Sequence, residues 1–215
     1  MLIYIGEERV RSQGGQMLRV TIVAIAVAMG SILDFAKAQT LTRDDAKVEQ
    51  ILRERPDLAI FIVDARMRDE NGEPMPCGKL TLSLAGEHGR VVRIETRVGG
   101  LFGTDVTDGG LAGIAPGLYL AAGITCGLGN NTHLFRGNFA KFTIRSGEII
   151  AAGTVVLDYR KGGSFFKPTY SGSAHVEDFS PKTLASLKQR IPVTMTRAKR
   201  RLMTQLSEQE KRNGL

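Results

Sequence analysis

Histidine occurs three times and cysteine twice in the 215-residue sequence, which leaves little material for a metal centre. His88, His133 and His175 fall in separate turn-like regions, with no pair at zinc-ligand spacing and no Cys-x-x-Cys, so no metal ligands are assigned. No Gly-x-Ser-x-Gly elbow exposes a nucleophilic serine, and Gly127-Leu128-Gly129 lacks the third glycine of a dinucleotide loop. Neither catalytic residues nor a cofactor are therefore expected. Asp69-Glu70-Asn71-Gly72-Glu73 and Asp105-Val106-Thr107-Asp108-Gly109 carry oxygen donors without the spacing of a calcium loop, and read as turns. No internal repeat or low-complexity tract is present, and no apolar run reaches the roughly 20 residues that a bilayer core requires.

The most apolar stretch, 20–33, follows Arg19 and precedes Ala36-Lys37-Ala38, whose two alanines occupy the positions a signal peptidase reads. Residues 1–38 are expected to be a cleavable signal sequence, with Met1 or Met17 as the start and a mature protein beginning near Gln39 in the periplasm or outside the cell. No cysteine follows Ala38, which removes the lipid acceptor of a lipoprotein. Cleavage takes away Arg9, Arg11, Arg19 and Lys37 against Glu7, Glu8 and Asp34, so the remainder of a chain of formal charge +7 stays basic. Such a charge suits anionic lipid, envelope polymers or acidic partners, and equally serves solubility. Cys77 and Cys126 both lie in the exported part, where an even count favours a disulfide. Closing that loop contributes on the order of 4 kcal/mol in the chain-entropy model. Two separate buried thiols are the alternative.

Residues 39–56 read as a short N-terminal helix, with Thr42 as its cap, Asp44 and Asp45 in its first turn, an apolar stripe of Val48, Ile51 and Leu52, and a stop at Pro56. The run 58–66, with its core Ile60-Phe61-Ile62-Val63, predicts a buried central strand. Alternation predicts further strands at 79–85, around Val92 and Ile94, and at 118–126, 139–145 and 149–159, with Gly153 a bulge or close-contact point. The fold class is mainly β: an antiparallel β-sandwich over 57–160 with a short N-terminal helix and C-terminal helices. Residues 161–192 are expected to form a loop and short helix. Residues 193–215 are expected to form a basic helix with Met195, Ala198, Leu202, Met203 and Leu206 near one face.

Ile114-Ala115-Pro116-Gly117-Leu118-Tyr119-Leu120 and the later Phe142-Thr143-Ile144-Arg145-Ser146-Gly147-Glu148 resemble segments of uncharacterised proteobacterial exported proteins and lipoproteins. That family is similar to carboxypeptidase-regulatory-like, or transthyretin-like, sandwiches. The resemblance spans roughly 58–159, implies a non-enzymatic envelope module and carries over no functional residues. Proline fixes φ, glycine supplies the reversal and the aromatic ring packs on the sheet.

Two surfaces are candidates for contact. Tyr159, Arg160, Lys161, Phe165, Phe166, Lys167 and Tyr170 interleave rings with cations, a mix that stacks on sugars or bases and neutralises anions, or else seals the open end of the sandwich. Arg197, Lys199, Arg200 and Arg201 would face an anionic membrane from the C-terminal helix, or stay solvated on a packed one. The expected function is a non-enzymatic module that binds another envelope component, protein or polymer, with no specific nucleic acid. Alternatives are a peripheral membrane or polyanion-associating protein using the basic helix, and a hydrolase with residues converging from distant loops.

Overall fold

A continuous apolar strand is stable only where both of its faces are covered, and the computed structural model shows how 59–68 meets that demand. The structure describes residues 41–98, 107–128, 131–164, 167–207 and 209–210; the expected signal sequence lies outside them. The elements are α1 (Arg43–Glu54), β1 (Ala59–Arg68), β2 (Lys79–Gly86), a 3₁₀ turn (Glu87–Gly89), β3 (Val91–Val98), β4 (Thr107–Asp108), β5 (Gly110–Ile114), β6 (Gly117–Leu128), β7 (Asn131–Ile144), β8 (Ile149–Ser164), β9 (Lys167–Glu177), α2 (Pro181–Arg190), α3 (Pro192–Arg197), β10 (Lys199–Arg200) and β11 (Thr204–Gln205).

The strands form two sheets. One has the order β10-β8-β1-β5 with β9 also on β8, and the other runs β11-β7-β6-β2-β3-β4. The mainly-β sandwich with short helices is the expected class, but its first sheet is mixed. β1 and β10 both run parallel to β8. Between β1 and β8 the chain passes through both sheets, with β5 antiparallel on β1, before β8 runs alongside β1 in the same direction, a relation between distant segments that no local alternation encodes.

Phe61, Val63, Ala65 and Met67 of β1 point between the sheets, where they meet Leu80, Leu82, Ile124, Ile144, Val155 and Leu157. Phe61 of the first sheet stacks on Phe142 of the second with ring centroids 4.0 Å apart, and within the second sheet Tyr119 stacks with Phe142 at 5.4 Å. The Tyr119 hydroxyl donates to the Ala115 carbonyl at 2.9 Å, which anchors the turn through Pro116 and Gly117. Cys77 and Cys126 lie at disulfide distance, with Cα atoms 5.4 Å apart and a sequence separation of 49. Both are buried, so the loop before β2 is pinned to the end of β6.

Ile60 and Ile62 point the other way, onto Val48 of α1 and Leu187 of α2, with Ile149 and Ile191 completing a second apolar cluster. Helices thus cover one half of the outer face of the mixed sheet. Thr42 caps α1 by accepting from the Asp45 N–H. Asp45 itself is fully buried and caps α3, accepting from the Thr194 N–H at 2.9 Å, the Thr194 hydroxyl at 2.6 Å and the Val193 N–H at 3.2 Å. Burial opposes the charge, yet these donors hold the Asp45 carboxyl below the usual carboxylate range.

Gly153 sits where β8 carries an extra residue against β1: Ile62 pairs with Ala151 and Asp64 with Thr154. Its φ is +83°, and a Cβ there would lie 2.5 Å from the Glu177 carbonyl, so both the bulge and the close approach require glycine.

The segment after α3 is not the expected helix. The chain leaves helical geometry at Ala198 and becomes a strap: Lys199–Arg200 pair with β8, then Thr204–Gln205 pair with β7. Met203 and Leu206 are buried beneath it. Two open strand edges satisfy this backbone, which overrides the helical spacing of its apolar residues. Residues 161–164 and 167–177 likewise pair as antiparallel strands rather than forming a loop, with Lys161 opposite Tyr170 and Ser164 opposite Lys167. Its glycines and serines give no apolar alternation, but ladder hydrogen bonds need none. The short helix expected in that region is α2.

Candidate functional site

β5 pairs with β1 only as far as Val63, so the Asp64–Arg68 half of β1 has β8 on one side and no full strand on the other, where only the 72–75 turn reaches it, with Pro74 bridged to Arg68 and the Met75 N–H donating to the Met67 carbonyl at 2.9 Å. There the chain forms a cleft of about 550 Å³, bounded by β1, β3, β4, the 72–75 turn and the start of α2. Met67, Met75, Leu80 and Pro74 give it an apolar floor, while Asp64, Arg66, Arg68, Arg97, Asp108 and Lys182 supply its charge.

The alternation that sends Ile60 and Ile62 to the helix layer also sends Asp64, Arg66 and Arg68 to the outer face, beyond the reach of α1. Asp64 is buried. Its Oδ1 accepts from the Ala65 N–H at 2.9 Å, and its Oδ2 accepts from the Thr183 hydroxyl at 3.0 Å and from Arg66 Nε at 3.3 Å. Burial pushes its carboxyl up to about 6, against the pull of Arg66 and Thr183. Arg66 continues to the first turn of α2, donating to the Ser180 hydroxyl and, at 2.7 Å, to Thr183 Oγ1. Ser180 is the α2 cap and accepts from the Thr183 N–H. One buried carboxylate and one guanidinium thus fix the helix that forms a wall of the cleft.

Arg97 reaches the cleft through an irregularity in β3. Thr81 pairs with Glu95 but Leu80 with Arg97, so Thr96 is an extra residue. Arg93 and Glu95 face solvent, whereas beyond the bulge Arg97 shares the face of the core residue Leu80. Thr96 is buried, and its carbonyl accepts from the Gly109 N–H at 2.7 Å. Asp108 stands opposite Arg97 in the ladder and pairs with Lys182 at 3.2 Å.

Arg68 connects this cleft to a second hollow of about 630 Å³ lined by Asp69, Glu70, Asp158, Tyr159, Arg160 and Ser171–Ser173. On the sheet between them, Arg68 binds Glu177 through two contacts of 2.9 and 3.2 Å. His175 Nε2 is 2.9 Å from Glu177 and Nδ1 is 3.1 Å from Asp158. Hydrogen bonds from His175 and Arg68 hold Glu177 below the usual carboxylate range.

Of the aromatic and basic residues expected to form a contact surface, Tyr159 packs against the core with its ring 6.2 Å from that of Phe135, and Arg160 is exposed in the second hollow. Phe165, Phe166 and the side chains of Lys161, Lys167 and Tyr170 lie outside the described residues. The four C-terminal cations do not share a helix face. Arg197 pairs with Glu49, Arg200 with Asp178 at 2.7 Å, and Arg201 with Glu148 at 3.0 Å and the Thr143 carbonyl at 2.6 Å. Lys199 is exposed on the strap. His133 and His175 stand on β7 and β9, not in turns. Among the described residues no group of three metal-ligating side chains converges, and no helix is long and apolar enough to cross a membrane.

Comparison of the chain with protein-family models, with curated proteins and with solved structures finds no match. The Asp64–Arg66–Thr183 network and Arg97 did not stand out in the sequence. The one available signal was the alternation Asp64-x-Arg66-x-Arg68 at the end of an otherwise apolar strand.

Proposed function

We propose that this chain is an exported, non-enzymatic sandwich module, periplasmic or secreted, that binds another component of the cell envelope at the cleft beside β1. The observation that carries this reading is the cleft itself: a concave, apolar floor ringed by oriented charges, built on strands, one tight turn and the first turn of α2 rather than on long loops. Its carboxylates are engaged by the protein's own donors, Asp64 by Arg66 and Thr183 and Asp108 by Lys182, which suits holding a wall in place. The envelope setting rests on the signal-like residues 1–38 and on the cysteine pair. Arg197, Arg200 and Arg201 pair with acids of the same chain and Lys199 stands on the strap, which weighs against the shared basic helix face that membrane association would use.

Charge reversal at the rim tests the reading. Immobilised protein is expected to retain an envelope component that Lys182→Glu retains at least about tenfold less, because a rim charge of the wrong sign slows association and removes an attractive pair. Lys47→Glu, an exposed change on α1 outside the cleft, is the control. Equal retention by both variants rejects the cleft as the binding surface.

A further inference from the structure

The charges around the cleft do not balance. Asp64 is matched by Arg66 at 3.3 Å, Asp108 by Lys182 at 3.2 Å, and Arg68 by Glu177 at 2.9 Å. Arg97 is half-buried and makes no hydrogen bond or ion pair among the described residues. A half-buried guanidinium whose side chain has no hydrogen-bonded carboxylate among the described residues keeps its donors open to a bound anion.

Its position is built rather than accidental. In a regular β3 the alternation from Arg93 through Glu95 would leave Arg97 on the solvent face. The extra residue at Thr96 turns it inward, opposite Leu80. The bulge is held from two directions, by the Thr96 hydroxyl on the Leu80 carbonyl at 3.5 Å and by the Gly109 N–H on the Thr96 carbonyl at 2.7 Å. Gly110 passes so close that a Cβ there would lie 2.3 Å from the Glu95 carbonyl, so the adjoining crossing strand is fitted to this backbone. Bulges that re-aim one side chain are a recurring device next to binding sites.

We propose that the cleft binds an organic carboxylate with an apolar body, the carboxylate on the Arg97 guanidinium and the body on Met67, Met75 and Leu80. The proposal rests on the reading of the cleft as the binding surface and adds the ligand class. One cation without an ion-pair partner among the described residues suits one negative charge, and a guanidinium presents a planar fork that fits a carboxylate through two parallel bonds. The methionine and leucine floor calls for hydrocarbon next to that charge, which inorganic phosphate does not offer. A volume of about 550 Å³ is in the range of a small-molecule pocket. The same chemistry is presented by a free carboxylic acid and by the C-terminal end of an apolar peptide.

Calorimetric titration of the purified protein with octanoate, octanol and octylammonium separates charge from hydrocarbon. Octanoate is expected to bind, with the alcohol and the amine at least about tenfold weaker. Arg97→Ala is expected to lose that preference, while Arg97→Lys keeps part of it because the charge remains and the fork does not. Thermal melts of both variants establish that they fold. An apolar tripeptide with a free or an amidated C-terminus distinguishes the two sources: free-end binding tighter than octanoate identifies a polypeptide end, and the reverse order a small molecule. Equal binding of octanol and octanoate, an unchanged Arg97→Ala, or no binding of any carboxylate at about 10 mM overturns the proposal. If carboxylates fail while Lys182→Glu still abolishes retention of the envelope component, the ligand class falls and the cleft remains the binding surface.

Discussion

Two buried aspartates show how differently the same side chain behaves. Asp45 receives three donors from α3, so its folded-state pKa is lowered; its contribution to stability is present above the unfolded value and lost as pH falls through the folded one. Asp45→Ala leaves the Val193 and Thr194 N–H groups unpaired, with an expected loss of about 1–3 kcal/mol in denaturant unfolding at neutral pH. Asp64 is the opposite case. Its folded pKa is raised to about 6 from the ordinary 3.8, so the folded state holds a proton that the unfolded chain releases. The sign follows: this group weakens the fold progressively as pH rises from about 4 to about 6, by roughly 3 kcal/mol at most. Asp64→Asn removes that dependence. The stability of the variant relative to wild type is expected to climb by about that amount between pH 4 and pH 7, and a difference that stays flat across this window rejects the raised pKa. Gly153 was legible from sequence because a lone glycine in an apolar strand marks a bulge or a close approach. Gly153→Ala meets a positive φ and the Glu177 carbonyl together, with an expected cost of about 2–3 kcal/mol in the same measurement.

At the level of elements, strands with one wet face announce themselves and edge segments do not. β1, β2, β6 and β8 carry apolar alternation or apolar runs, and the sequence places each of them. The strap at 199–205 is rich in cations, and its apolar residues fit a helical stripe as well as an extended one. Its conformation is decided by the free edges of β8 and β7, which are distant in sequence. The Thr96 bulge is equally silent, since it exists only as a register shift against β2. Met203→Ala empties a buried position under the strap, with an expected loss of about 2–5 kcal/mol. A change confined to the strap's exposed Thr204 is expected to stay within about 0.5 kcal/mol. Comparable losses from the two changes would mean that the strap does not dock as described.

Across the whole molecule, the mainly-β class and the cysteine pair were readable because both rest on composition and on patterns within single strands. The parallel pairing of β1 with β8, the helix layer and the cleft were not, because each depends on which distant segments meet. Reduction of the Cys77–Cys126 bridge is expected to cost about 2–5 kcal/mol, read as a lower unfolding midpoint in the presence of a thiol reductant. Two thiols titrating in the unreduced, denatured protein would reject the bridge. The export expectation has its own check: N-terminal sequencing of the secreted form is expected to start near Gln39. The strap carries one more consequence. Residues 199–206 follow both strands they join, so during vectorial emergence from a ribosome or a pore the edges of β8 and β7 stay unlatched until these residues are free. A polypeptide in which that stretch has not docked leaves the rims of β8 and β7 bare at those positions, where unpaired backbone is open to proteolysis.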